Sequence, residues 1–435
     1  MEGIFRMHNA VGDNYRLTIF GASHAEKIGV RIEGLPAGFR IDLNKLQSFM
    51  DRRAPGKDRF STARREPDRV IFENGITEDG QIVSSNACAV IYNRNVRRSD
   101  YDSLKDTPRP GHADLTARLR YGDDFDMSGG GPFSGRMTAP LCIAGGIALQ
   151  ILESYGITIT ARPGMVGGET QEEKMKAAVD RVREEGDSVG GVVICTADGI
   201  PAGVGDPMFD GIENRIARIM FGIPAVKAIG FGAGFDAAHM RGSDHNDGLY
   251  YDEEGHIRFK TNHAGGILGG ITNGMPVTFS VAFKPTPSIA KNQQTVNTRT
   301  HENVTIKIQG RHDPCIVMRA VPVVEAACAC ALYDALLDRA ALESSQEGLT
   351  GLRQKLDVID DQILELFQKR MEICAHVADV KKADGKAVLD PKREQEKLDH
   401  LTGKARDDLK EETEDLFSNV MELSRSYQER LMRDD

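Results

Sequence analysis

Two histidines sit where the chain could put them to chemical use. His112 lies in Pro108–Arg136, PRPGHADLTARLRYGDDFDMSGGGPFSGR. Pro110-Gly111 before it and Ala113-Asp114 after it make an irregular turn, so the imidazole sits on a shaped loop and not on an element face. Gly129-Gly130-Gly131 then removes every Cβ for three residues, which lets backbone N–H groups approach a ligand closely. Ser134 and Arg136 add donors suited to an anion. A bound anionic cofactor or substrate fits this pattern. Taken alone, so does a flexible glycine turn beside a surface histidine. His24 follows Gly21-Ala22-Ser23 at the end of an apolar run, Tyr15–Phe20, a strand-to-loop boundary where functional side chains commonly sit.

Other clusters point the same way. Residues 51–69, DRRAPGKDRFSTARREPDR, hold seven basic side chains against four acidic ones. In an acidic protein such an island suits a small anion better than a polyanion, though a solvated loop is the plainer reading. Lys284-Pro285-Thr286-Pro287-Ser288 presents an ammonium on a stiffened backbone, and TNHAGGILGGITNG from Thr261 offers another close-approach surface. In Arg311-His312-Asp313 the arginine can take an anion while the carboxylate accepts a proton. Gly230-Phe231-Gly232-Ala233-Gly234 is a weak phosphate-loop signal, because no helical pattern follows it.

The elements that must position these residues read as short strands and amphipathic helices. Tyr15–Phe20, Val30–Glu33, Arg69–Phe72, Gln81–Ser84, Cys88–Tyr92 and Val192–Cys195 are β-like, with Asn74-Gly75 and Asp79-Gly80 as turn signals. Asp42 caps a helix through Arg52, a small-residue helix fills Thr138–Tyr155, and Gly145 and Gly146 leave room there for another element. Thr170–Glu173 reads as a capping box opening a helix to Glu185, and Asp210–Met220 is helical. Hairpin-linked strands make the class α+β and not a doubly wound sheet.

At 435 residues two or more domains are expected. The net charge of −10 argues against a nucleic-acid partner. The longest apolar run, near Ala139–Leu152, is short and Gly-rich for a membrane span, and no N-terminal targeting signal stands out. Seven scattered cysteines read as reduced thiols, hence a cytoplasmic protein, with Cys328 and Cys330 as small buried apolar residues.

After a polar linker at 343–348 the pattern turns wholly helical over 349–435. Leu352, Leu356, Ile359, Ile363, Leu366, Arg370, Ile373, Val377 and Val380 form a heptad seam whose polar member is Arg370. Arg370 either snorkels out of a bundle or is held inside it to meet an anion. The seam predicts a helix of about 33 residues, roughly 50 Å. Asp390-Pro391 opens a second helix ending near Thr402-Gly403, and Leu409, Leu416, Val420, Leu423, Tyr427 and Leu431 mark a third. One long helix and two shorter ones cannot bury that seam alone, so an intertwined homodimer is expected.

Gly21–Pro36 (GASHAEKIGVRIEGLP), Gly131–Arg136 (GPFSGR) and Arg311–Ala327 (RHDPCIVMRAVPVVEAA) resemble the three signatures of the chorismate synthase family, with DRRAPG, REPD, PRPGHAD, RGS, TNHAGGILGG and KPTPS between them in the family's order. The resemblance covers residues 5–342 and assigns 1–342 to that domain. It implies a β-α-β sandwich, a tetramer, reduced FMN with NADPH as a candidate source of its electrons, and anti-1,4-elimination of phosphate from 5-enolpyruvylshikimate 3-phosphate. By motif, His24 would protonate the leaving phosphate, His112 would sit at flavin N1, and Asp313 would take the proton from N5. Arg53, Arg59 and Arg136 match substrate positions. Ser134, Ala225, Gly269, Lys284, Pro285, Thr286, Pro287, Ser288 and Arg311 match flavin positions. Two departures stand out: Ala22 replaces the family's usual Glu, and Pro132-Phe133 stands where an arginine and a small residue are common.

The helical segment resembles the all-helical type of chorismate mutase. By motif, Arg353, Arg370, Asp390, Arg393 and Ser424 match substrate positions, with Lys381, Gln428 and Glu394 as catalytic ones. The implied reaction is the Claisen rearrangement of chorismate to prephenate. Arg353 and Arg370 lie about 25 Å apart along one helix, so the resemblance brings Arg353 from the partner chain. Two alternatives give this segment another role: a chorismate- or prephenate-sensing module, or a dimerisation bundle.

Overall fold

The computed structural model describes residues 9–54, 68–93, 106–123, 125–308, 313–346 and 349–433. The chain divides into two compact units, Met1–Leu342 and Glu343–Asp435.

The first unit opens with β1 (Ala10–Val11), β2 (Arg16–Gly21) and β3 (Lys27–Glu33), then α1 (Leu43–Arg53), β4 (Ile71–Asn74) and β5 (Asn86–Tyr92). These strands form an antiparallel sheet in the order β1-β2-β3-β5-β4. The segment Gln81–Ser84, expected as a strand, contributes only isolated bridges, Arg40 to Gln81 and Ile76 to Ile82. Asp42 caps α1 as read from the sequence: its carboxylate accepts from the N–H groups of Asn44 at 2.8 Å and Lys45 at 3.0 Å.

Next come α2 (Asp114–Tyr121), α3 (Thr138–Ser154), β6 (Thr158–Val166), α4 (Glu172–Glu184), β7 (Gly191–Asp198), α5 (Ile212–Met220), β8 (Val226–Phe231) and the short α6 (Gly242–His245). Gln171 caps α4 with no side-chain bond, so the expected box at Thr170–Glu173 does not form. Strands β9 (Leu249–Tyr251) and β10 (Ile257–Phe259) make one small hairpin, and β11 (Ile267–Leu268) and β12 (Ile271–Thr272) another. Strand β13 (Val277–Phe283) completes a second antiparallel sheet, β6-β7-β13-β8. The unit ends with the hairpin β14 (Asn292–Asn297) and β15 (Glu302–Lys307) and the helix α7 (Val317–Gln346).

Helix α3 packs on strands of both sheets, and α7 crosses it. The crossing is close because Gly145 has no side chain: a Cβ there would collide with the backbone of Ala326, and one on Gly146 would lie 2.6 Å from Leu46. The result is two sheets around a helical layer, a β-α-β sandwich. Gly135–Ser154 and Val317–Leu342 are long and apolar enough to span a bilayer, contrary to the length argument from sequence, but their apolar windows are 83% and 89% buried as core. All seven cysteines are buried, and none forms a disulfide. Helix α7 continues through residues 343–346, so that part of the expected linker is helical.

The second unit is α8 (Leu349–Ala383), α9 (Pro391–Thr402) and α10 (Lys410–Arg433). Helix α10 packs on both α8 and α9. On α8 the row Leu356, Ile359, Ile363, Leu366, Ile373, Val377 and Val380 is exposed, while Cys374 and Ala378 are buried. The seam therefore splits: its described apolar members are exposed, and Arg370 turns to α10.

Candidate functional site

The first site is built on the three glycines. Gly129, Gly130 and Gly131 all have positive φ (63°, 87° and 52°), a run that L side chains do not adopt. The backbone so formed is a shelf for both histidines. The His24 ring, 7% exposed, packs where a Cβ on Gly129 would be, and His112 Nε2 comes within 3.3 Å of where a Cβ on Gly130 would be. The Ser23 N–H donates to Gly131 O at 3.2 Å and ties the end of the His24 strand to the shelf.

His112 is oriented from behind. Its Nδ1 lies 2.7 Å from Asp114 Oδ1. Asp114 also accepts from Arg109 at 2.7 and 2.8 Å. Burial works against the Asp114 charge, yet the hydrogen bonds and charges of Arg109 and His112 hold its carboxyl well below the usual carboxylate range. The turn is clasped by the 284–288 segment: Arg109 donates to Ser288 Oγ at 3.2 Å, and Lys284 Nζ donates to Gly111 O. Burial, then the nearby charge of Lys227, lowers the Lys284 pKa. Lys284 N–H donates to Ala225 O at 2.9 Å, and Ala225 itself holds φ 76°. Thr286 Oγ1 is buried and has no hydrogen-bond partner among the described residues. Pro285 and Pro287 flank it, and Pro287 lies 3.5 Å from where a Cβ on Gly111 would be. Gly269 sits in the β11–β12 turn, and among the described residues no hydrogen bond joins it to this cradle.

A buried ionic network lies beside the shelf. Arg53, on the last turn of α1, donates to Asp68 Oδ2 at 2.9 Å, to Thr138 Oγ1 at 3.2 Å and to Gly135 O at 2.7 Å. Burial, then the charge of Arg319, brings its guanidinium down to about 10, against the pull of Asp68. Arg136 donates to the other oxygen of Asp68 and to Asn93 Oδ1 at 3.1 Å. Arg319 donates to Asp313 and to Arg53 O, the latter at 3.1 Å. Ser134 Oγ accepts from Arg136 N–H at 3.2 Å. Arg59 and Arg311 lie outside the described residues. Asp68, Arg109, Asp114 and Arg319 escaped the reading by motif role. Their signal was present as Asp68 inside REPD, Arg109 and Asp114 inside PRPGHAD, and an arginine three residues past Ile316.

Pro132 and Phe133 line a cavity of about 670 Å³ with Ile19, Tyr121, Leu141 and Ile223. None of the candidate histidines or arginines lines it.

The second site lies between α8 and α10. Arg370 donates to Ser424 Oγ, reaches Val420 O at 3.4 Å and touches Cys374 Sγ at 3.7 Å. Ser424 and Gln428, one turn apart on α10, are 3% and 7% exposed. Gln428 Oε1 is buried without a partner among the described residues. Lys381 Nζ is parked on Val388 O at 2.5 Å. Asp390 caps α9, accepting from Arg393 N–H at 3.1 Å, and Glu394 pairs with Arg425. Arg393 itself is exposed, 3.8 Å from Glu396. The Arg353 side chain lies outside the described residues. Arg425 went unnoticed in the sequence, where it is one more charge on a polar helix.

The family model described as "Chorismate synthase" matches residues 15–337, and that described as "Chorismate mutase type II" matches residues 352–429. A chorismate synthase of Lancefieldella parvula is 44% identical over 368 residues, spanning 76% of this chain and 96% of that protein. One of Methanocaldococcus jannaschii is 43% identical over 365 residues, again spanning 76% and 96%. A solved structure titled "Crystal Structure of Chorismate Synthase" superposes with a TM-score of 0.58 at 24% identity, covering 75% of this chain and 93% of that one, a likeness of fold. The chain belongs to the chorismate synthase family, a lyase, and carries behind that unit a chorismate mutase type II domain of the isomerase class.

Proposed function

We propose that one chain performs two consecutive steps: phosphate elimination from 5-enolpyruvylshikimate 3-phosphate in residues 1–342, and rearrangement of the resulting chorismate to prephenate in residues 349–435. Family membership brings dependence on a reduced flavin. We take it as FMN, kept reduced with electrons from NADPH. The residues fit such a group: the Gly129–Gly131 backbone brings His24 and His112 to one shelf, Lys284 and Ser288 suit its phosphate, and buried Thr286 Oγ1 has a donor and lone pairs to spend. When bound, the reduced flavin lends electron density as phosphate leaves. His24, held on the shelf, gives a proton to the departing phosphate oxygen. His112, aligned by Asp114, would offer a hydrogen bond to a bound flavin, and Asp313, steered by Arg319, would accept a proton. Ala225, Gly269 and Arg311 complete the flavin surroundings, and Arg59 and Arg136 take the substrate's charges with Arg53 behind them.

In the second unit no nucleophile is needed. Arg370 clamps a carboxylate, Lys381 and Gln428 stabilise charge on the ether oxygen, and Glu394 and Asp390 bind near the ring hydroxyl. Ser424 holds Arg370, and Arg353 and Arg393 supply further charge, Arg353 from a second chain. The exposed apolar row on α8 supports an intertwined dimer of these units, within a tetramer set by the synthase units in the cytoplasm.

The observation that carries the two-step reading is the inward Arg370–Ser424–Gln428 set, with a buried, unspent Gln428 oxygen that a sensor or scaffold would not require. Anaerobic turnover with reduced FMN and 5-enolpyruvylshikimate 3-phosphate, following phosphate, chorismate and prephenate, tests it. The parent protein is expected to make prephenate, and Arg370→Ala to stop at chorismate. Phosphate and chorismate without prephenate from the parent would leave the helical unit a sensor or scaffold.

A further inference from the structure

We infer that Asp68 is a positioning residue of the synthase unit, the carboxylate that fixes the Arg136 guanidinium for the anionic substrate. The inference rests on the reading of Arg136 as a substrate residue.

Asp68 is completely buried. A lone carboxylate there would be too costly, and it persists because Arg53 and Arg136 each bond one of its two oxygens. The two arginines are not equivalent. Each of the three guanidinium nitrogens of Arg53 is bonded to the protein, so Arg53 serves as a brace. Its bond to Gly135 O pins the backbone immediately before Arg136, and Thr138 Oγ1 donates to the same carbonyl at 2.7 Å. Arg136 is then held from two sides, by Asp68 and by Asn93 Oδ1.

The network reaches the segments that carry two of the candidate reacting groups. Asn93 Nδ2 donates to Ala25 O at 2.8 Å, next to His24. On the other side, Arg319 links Arg53 O to Asp313. A carboxylate in this place fixes where the Arg136 guanidinium sits. An uncharged residue could fill the volume, but it could not hold two guanidiniums at fixed angles.

The test is Asp68→Asn, which keeps the shape and can satisfy only one arginine. Steady-state turnover of 5-enolpyruvylshikimate 3-phosphate with reduced FMN should show KM raised about tenfold or more, the worth of one charge-assisted hydrogen bond, with kcat kept within a few-fold. Oxidised FMN, titrated by flavin fluorescence, should bind with unchanged affinity, because the 284–288 clasp is untouched. Arg136→Ala is run alongside and should raise KM at least as much, and the double variant should be no worse than Arg136→Ala. If Arg136→Ala raises KM and Asp68→Asn does not, the inference is overturned while the reading of Arg136 survives. If Arg136→Ala leaves KM unchanged, that reading fails and takes the inference with it. Loss of FMN binding in Asp68→Asn would mark a scaffold role and also overturn it. Should Asp68→Asn not fold, Arg136→Lys decides: it keeps the charge but cannot span Asp68 and Asn93 together. A KM near that of Arg136→Ala supports positioning, and a wild-type KM refutes it.

Discussion

At His112 the deciding neighbour is Asp114, two residues on in the same turn. Its carboxyl lies below the ordinary range, so its contribution to stability is fully present above about pH 4, the unfolded value, and is lost as pH falls through the folded one. Asp114→Asn leaves Arg109 buried without its counter-charge, and we expect a loss of roughly 3–5 kcal/mol at pH 7. Denaturant midpoints across pH should show the gap to wild type closing below about pH 4. A gap independent of pH would contradict the sign. At Gly129 the expectation is steric. Gly129→Ala pushes a Cβ into the His24 ring at a positive φ, so synthase turnover should drop at least about a hundredfold. Conversion of added chorismate should continue at the parental rate.

Among the elements, helix ends were the most legible parts of the chain. Asp42 and Asp390 are acidic residues directly before a helical run, and both accept backbone N–H bonds as caps. Asp390→Ala should cost about 1 kcal/mol and let the start of α9 fray, which displaces Glu394 and lowers the mutase rate. Thermal melts followed with chorismate turnover check both halves of that statement. The Thr170–Glu173 pattern did not produce a cap because the strand β6 and its turn carry the backbone past Thr170 before helical dihedrals begin at Glu172. Gly145 could be read as a contact site, but its partner could not. Only the fold shows that Ala326 arrives there from residues far along the sequence.

For the whole molecule the telling surface is the α8 row, in which Leu366 and Ile373 are 65% and 64% exposed. Water does not tolerate such a stripe well, which is the ground for the proposed dimer of helical units. Ile373→Glu should weaken self-association in sedimentation velocity and cut prephenate formation severalfold, with phosphate release preserved. Full prephenate formation by a dissociated species would remove the need for a shared site.

Sequence alone determined the two-part organisation, the α+β class of the first part, the helical spans of the second, and the residue types able to handle anions and protons. These are local properties: periodicity, caps, turn residues and motif order. Tertiary structure decided which of them meet. Both histidines share one glycine shelf because three consecutive positive φ values turn the chain beneath them. Arg53 became a buried brace because Asp68 and the Gly135–Thr138 turn close around it from two distant segments. Arg370 left the apolar seam because α10 offers Ser424 Oγ and Val420 O on the adjoining face. A guanidinium goes where its hydrogen bonds can be met, and the heptad pattern carries no information about where that is.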